Sequence, residues 1–337
     1  MPDYSVAAYT LKVRQKWAPA TSANYRDLSD FDGAGSDTLQ FLYAFCNSVT
    51  TKPIRHKTEG KYLQVVNAHA QGRVIRSEIE SGGYGLASRL VDIEQNSESY
   101  KRKVNDAELL PLRNIFAVPI NSPTGLFITE RVGIRGLKST LVSAIQRSFS
   151  YTYPDYLIDV NALAPEEAVK SSLEEGELKG IRLVRYGIPR DLEERYYLAA
   201  HEKEIGTVEV VLKPERGLSF SKRRLEQALE SDEKAGLLEW RGVEYHDIKL
   251  EVKVGKQTRT LTVTKDKAPR VTFPIADDAE VDAGGRPTDV ALYSLAMRTA
   301  QDLVVDIGVQ RESLLGTDFQ WTDAMKTRVV TVDDIES

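Results

Sequence analysis

Between Ile115 and Phe149 the chain reads IFAVPINSPTGLFITERVGIRGLKSTLVSAIQRSF. Ile115 to Ile120 is apolar, as is the run that opens at Leu126, and Asn121-Ser122-Pro123-Thr124-Gly125 between them supplies the residues that turns select. This pattern predicts a β-hairpin. The period then changes: Leu137, Leu141, Ile145 and Phe149 recur every four residues, as one face of a helix does, while Lys138, Gln146 and Arg147 fall nearer water. A hairpin followed by a helix whose apolar stripe can pack back on it sets the expected architecture, an antiparallel sheet covered by helices.

Upstream, Val6, Ala8 and Thr10 to Val13 read as a strand, and the Ser, Asp and Gly-rich stretch from Thr21 to Gly35 as a loop. Ser36 is placed to cap a helix carrying Leu39, Leu42, Tyr43 and Cys46 on one stripe. Tyr62 to Ala68 and Arg73 to Ile79 flank a Gln71-Gly72 turn, a second hairpin, and Arg89 to Ile93 adds a strand after the glycines at 82, 83 and 85. The polar, Pro-bearing stretch Asn161 to Glu167 reads as a linker.

Beyond it, Ile181 to Tyr186 and Thr207 to Leu212 read as strands, Asp191 to Lys203 and the segment from Ser221 to Gly236 as helices. Val243 to Val254 and Arg259 to Thr264 form a hairpin around Gly255-Lys256. A long helix starting near Pro287 buries Leu292, Leu295, Ala296, Thr299 and Leu303, and the stretch after Thr327 is expected to fray. The expected fold is therefore α+β with two domains, 1–160 and 161–337, each a mainly antiparallel sheet packed with helices.

The chain has 337 residues, 41% of them hydrophobic and 28% charged, a balance typical of folded domains. Cys46, the only cysteine, excludes an intramolecular disulfide and any cysteine-built metal site; it favours a reducing compartment, hence the cytoplasm, and its place on the apolar stripe favours core packing over nucleophilic use. The N-terminus lacks a secretory pattern, and the most apolar helix carries Arg298, Asp302 and Asp306, so a soluble protein without membrane contact is expected. Residues 1–160 hold 19 Lys and Arg against 16 Asp and Glu, whereas 161–337 hold 26 against 34. An anionic partner therefore suits the first part and not the second.

Gly133-Ile-Arg-Gly136-Leu-Lys138-Ser139-Thr140 has the wrong spacing for a phosphate-binding loop, since two residues separate the glycines and Leu137 precedes the lysine. A looser anion site remains open at Arg131, Arg135 and Lys138 beside the helix start. Lys101-Arg102-Lys103, expected in a loop, and Lys222-Arg223-Arg224, at a helix start, are the other basic clusters; acidic residues at 226, 230, 232 and 233 oppose a nucleic-acid role for the second. Ser81-Gly-Gly-Tyr84-Gly85 precedes a strand and reads as a hairpin connection. The histidines at 56, 69, 201 and 246 make no metal-ligand pair, and no Gly-x-Ser-x-Gly turn occurs.

One acidic pattern carries possible chemistry. Pro154-Asp155 upstream of Glu177-Leu-Lys179 resembles the metal-dependent nucleases named for their Pro-Asp and Glu-x-Lys residues. That resemblance implies Mg²⁺ held by Asp155 and Glu177, with Lys179 orienting water or stabilising charge at phosphorus. Glu177 is expected just before a strand, whereas Glu251-Val-Lys253 lies on one, below Asp232 and Asp247, without the Pro-Asp. Separately, Phe116 to Ile120, Gly125 to Gly133 and Lys138 to Leu141 resemble uncharacterised bacterial domain families encoded in anti-phage defence and mobile-element neighbourhoods. This likeness spans about residues 115–149 and implies a shared fold element and a genomic setting.

The resulting expectation is a bacterial macromolecule-binding protein of sensor or interaction type, without a cofactor, whose first domain takes a protein or nucleic-acid partner around Arg131, Arg135, Lys138 and Lys101-Arg102-Lys103. The alternative is a Mg²⁺-dependent nuclease using Asp155, Glu177 and Lys179.

Overall fold

The computed structural model describes residues 4–133, 135–162, 176–186, 207–221, 239–240, 243–245, 247–254, 257–264, 270–275, 279–306, 309–310, 312–315 and 319–336. Two compact units divide the chain, Met1–Asn161 with Ile275–Ser337 and Ala162–Pro274.

In the first unit the strands are β1 (Tyr4–Gln15), β2 (Tyr25–Arg26), β3 (Ile54–His56), β4 (Lys61–Gln71), β5 (Val74–Gly83), β6 (Ser88–Asp92), β7 (Ser97–Arg102), β8 (Glu108–Ala117), β9 (Gly125–Val132) and β10 (Tyr156–Ala162). Hydrogen bonds order them β3-β4-β5-β8-β9-β1, with β2 and β10 also on β1; β6 and β7 pair only with each other among the described residues. The helices are α1 (Thr38–Thr51), α2 (Lys138–Thr152), α3 (Asp289–Asp306), and two short ones, α4 (Glu312–Leu315) and α5 (Asp323–Thr327).

Both faces of this sheet are covered at its centre, since every consecutive position from 112 to 117 on β8 and from 125 to 130 on β9 is buried. Helix α1 packs on β4, β5 and β8, and α3 on β8 and β9. The predicted stripe of α2 is buried throughout, with Leu137, Leu141, Ile145 and Phe149 at 1% exposure or less. Phe149 packs with Phe31, Phe41 and Tyr153 in an aromatic cluster joining α1 and α2.

Strand outweighs helix, 43% against 23% among the described residues, which overturns the expected balanced α+β pair. Thirteen of the described strands belong to extended sheet, eight in the first unit and five in the second. β8 and β10 explain part of the misreading. The start of β8, Glu108-Leu-Leu-Pro-Leu-Arg113, mixes charge and proline with apolar residues, and β10 occupies the segment read as leading into a linker.

Four local expectations also change. Asp37, not Ser36, caps α1, accepting from Leu39 N at 2.8 Å. Lys101 and Arg102 lie in strand β7, not in a loop. The stretch after Thr327 is tied down by side chains that bond its main chain: Asn47 Nδ2 donates to the carbonyls of Lys326 and Arg328. Ser48 Oγ donates to Val330 O and accepts from Val330 N, and Ser148 Oγ donates to Thr331 O. The long helix after Pro287, expected to close the C-terminal domain, packs on β8 and β9 in the first unit.

The second unit contains β11 (Glu177–Tyr186), β12 (Thr207–Leu212), β13 (Glu239–Trp240), β14 (Val243–Glu244), β15 (Asp247–Val254), β16 (Gln257–Thr264) and β17 (Arg270–Pro274). Their order is β12-β11-β15-β16-β17, antiparallel, with β13 and β14 as a separate pair. Leu178, Leu183, Ile248, Leu250, Val252, Leu261 and Phe273 supply buried side chains. The helix expected at 191–203, and residues 222–236 of the one expected from Ser221, with the Lys222-Arg223-Arg224 cluster, lie outside the described residues. Among the described residues no helix is long and apolar enough to cross a membrane.

Candidate functional site

The sheet of the first unit brings two distant basic stretches to one end. β5 ends where β8 begins, Gly83 facing Glu108, and β9 ends beside the start of β1, Val132 facing Tyr4. Lys101-Arg102-Lys103 leaves β7 into the connection to β8, and Arg135 succeeds β9. Both reach one carboxylate: Arg102 Nη1 lies 3.5 Å from Glu108 Oε2 and Arg135 Nη1 lies 3.6 Å from Glu108 Oε1.

Local chemistry holds this arrangement. Gly82 is glycine because the strands pass too closely for a side chain; a Cβ there would overlap the Glu108 carbonyl oxygen. The Ser81-Gly-Gly stretch thus serves strand approach, and it leads into strand β6. Arg102 also donates to the carbonyls of Asp106 and Gly83. Asp106 accepts from Tyr100 OH and Lys103 N, both at 2.7 Å. The Lys103 amide, followed by the Tyr100 hydroxyl, holds its carboxyl below the usual carboxylate range. Gly133, with φ +57°, turns the chain after β9, and Arg135 and Val132 exchange main-chain bonds across it. A Cβ on Gly136 would stand 3.8 Å from Arg131 Cγ, so this turn folds over Arg131. Lys138 opens α2 with its ammonium 5.1 Å from the centre of the Tyr9 ring.

Electrostatically the surface is basic but loosely neutralised. Arg135 is 66% exposed and Glu108 60% exposed, and ion pairs this long and wet contribute at most about 1 kcal/mol. An incoming anion can displace such a carboxylate. Arg89 adds charge that the sequence pattern did not single out, because β6 places it directly opposite Lys101. Like charges facing each other across a ribbon repel.

The acidic pattern is arranged differently. Glu177 opens β11 instead of standing just outside it, and Lys179 lies two residues on, so both side chains share a face and pair at 2.7 Å. The Lys179 ammonium, through hydrogen bond and charge, holds the Glu177 carboxyl low. Lys179 also donates to Leu218 O. Asp155 belongs to the first unit and these two to the second. Glu251 meets Arg182 at 3.5 Å; Asp232 lies outside the described residues. Among the described residues no group of three or more His, Cys, Asp or Glu could hold a metal ion. His56 bonds Thr58 and approaches Glu59, while 201 and 246 lie outside the described residues. Cys46 is fully buried, and burial pushes its thiol up to about 12, so it packs as an inert core residue.

Sequence reasoning also missed a buried ionic network facing α3. Glu130 and Arg113 are 0% and 2% exposed. Glu130 accepts from Arg113 N, Nε and Nη2 at 2.7–3.0 Å and from Arg286 Nη2 at 2.8 Å. Arg113 Nη1 reaches Pro287 O and Asp289. The Arg113 and Glu130 side chains are both fully engaged, which marks the network as structural. No protein-family model matches the chain, and no curated protein is significantly similar to it.

Proposed function

We propose that this chain is a macromolecule-binding protein of sensor or interaction type, that its partner is anionic, and that nucleic acid is the class its charge favours. The observation that carries this reading is the convergence of Arg102 and Arg135 on Glu108, which joins Lys101-Arg102-Lys103 to the end of β9, where Arg131 and Arg135 lie; Lys138 stands farther along β1, over the Tyr9 ring. Phosphates bind by displacing counterions as such cations neutralise them. A cytoplasmic setting accords with the lone buried Cys46, and a bacterial, anti-phage context is proposed from the likeness of residues 115–149 alone.

Fluorescence anisotropy with labelled single- and double-stranded DNA and RNA, at low and moderate salt with and without Mg²⁺, tests the reading. Salt-sensitive binding without cleavage is expected. Reversing Arg131, Arg135 and Lys138 to Glu should weaken it at least tenfold and flatten the salt slope by about 0.9 for each phosphate that is no longer neutralised. Glu108→Gln should strengthen it, because the carboxylate competes with phosphate for the exposed Arg135 guanidinium. No binding to any of the four would remove nucleic acid as the partner. Mg²⁺-dependent cleavage abolished by Glu177→Gln would instead favour the nuclease reading on Asp155, Glu177 and Lys179.

A further inference from the structure

Residues 328–336 form no helix and, apart from one bridge, no strand, yet groups on other elements hold them along their length. Asn47, Ser48, Ser148 and Lys52 donate in turn to the carbonyls of Arg328, Val330, Thr331 and Val332. Bonds to carbonyls hold an extended chain whatever its side chains are. Val332 and Ile335, each 5% exposed, are the side chains it buries.

The segment ends on a sheet edge. β3 stands last in the strand order, where an edge strand offers unpaired amides and carbonyls. Ile335 takes them: its amide donates to Arg55 O and its carbonyl accepts from Lys57 N, both at 2.8 Å, in a parallel bridge opposite His56. Charge follows the same register. Asp333 pairs with Lys52 at 2.9 Å, Asp334 with Arg55 at 2.8 Å and Glu336 with Lys57 at 2.7 Å, in the same order along both stretches. The Arg55 amide also donates to Asp334.

Main-chain capture at an edge, with side chains read separately, is how a sheet recognises a strand-like peptide. We infer that the β3 edge with Lys52, Arg55 and Lys57 is a docking site for an extended acidic peptide. The chain's own residues 332–336 fill it here, and a partner protein's segment of the same pattern fills it when they leave. Pairing with the edge specifies a peptide, since a nucleic acid satisfies the cations but not the amide and carbonyl of β3. The resident segment is exchangeable because its three cations are 49–62% exposed, and ion pairs of that kind are weak and salt-sensitive. Its advantage is the tether, which keeps it at a high effective concentration that a free peptide must match. This docking does not depend on what the surface around Glu108 binds.

Fluorescence anisotropy on the full chain, with a labelled synthetic peptide of residues 328–336, provides the test. Unseating the resident segment by Asp334→Lys with Ile335→Gly should raise affinity for the added peptide at least tenfold over wild type. On that background Arg55→Gln with Lys57→Gln should lower it at least tenfold. A peptide carrying Asp333→Lys, Asp334→Lys and Glu336→Lys should not bind. A second preparation keeps every side chain: a protease site inserted after Thr327 is cut once the chain has folded. The labelled peptide should then replace the cut segment while the circular dichroism spectrum stays unchanged. No uptake by either preparation would overturn the inference. So would equal uptake of the lysine peptide, or unfolding of the chain as the cut segment leaves.

Discussion

Replacing Glu130 by Gln tests the buried network most directly. The substitution keeps the shape of the side chain and removes its charge, leaving the Arg113 guanidinium at 2% exposure without its bidentate carboxylate. Asp289 remains bonded to Arg113 but is 71% exposed and cannot compensate fully. Breaking one side of a buried pair costs about 3–5 kcal/mol. For a unit of this size that lowers the melting temperature by roughly 6–20 °C. Calorimetry of wild type and variant at neutral pH measures it. The pH dependence has a definite sign. Burial raises the Glu130 carboxyl, but hydrogen bonds and charge from Arg113 and Arg286 outweigh it and hold the group below its usual value. Its contribution is therefore full above the unfolded carboxyl pKa of about 4.3 and is lost as pH falls through the folded value. The difference between wild type and Glu130→Gln should shrink across that acid limb. Removing both charges, as in Glu130→Leu with Arg113→Met, should recover much of the stability, because neither ion is then stranded. A single variant that melts within a degree or two of wild type would refute the reasoning.

Gly82→Ala should force β5 and β8 apart at Gly82, costing about 1–3 kcal/mol as an overpacked site; hydrogen exchange should quicken at residues 81–83 and 108–110 while α2 is unchanged. Ser48→Ala removes both bonds to Val330 and should cost about 1–2 kcal/mol. The Val330 amide should then exchange at least tenfold faster, and an unchanged rate would mean that the segment is held by its apolar side chains alone.

The hairpin and helix at 115–149 could be read from sequence because a change of apolar period needs no distant partner. The same holds for the Gln71-Gly72 hairpin and for the stripe that buries Cys46. Interior charge could not be read this way. Arg113 and Glu130 break the apolar pattern of β8 and β9, and their third member, Arg286, lies 156 residues beyond Glu130. The segment after Thr327 looked mixed because its partners, Asn47, Ser48 and Ser148, are polar side chains on helices far upstream. Each basic cluster of the candidate site was visible as a run of charge. Their meeting at Glu108 was not, since it arises from β5 and β9 ending, and β8 beginning, at the same end of one sheet.

That sheet geometry separates the elements the fold requires from those it carries. Gly83 and Glu108 are paired neighbours, so residues 84–107 interrupt an otherwise simple hairpin between β5 and β8. A two-residue Asn-Gly turn can close such a hairpin. Replacing 84–107 with that turn removes the Tyr84 bond to Gly60 and the Arg102 bonds, but none of the buried apolar side chains of the core. The melting temperature should therefore fall by only a few degrees, while nucleic-acid binding loses the contribution of Lys101, Arg102 and Lys103. Collapse of the first unit would show that the ribbon is structural. Retention of the fold with weakened nucleic-acid binding would place the ribbon among the elements that face outward to partners.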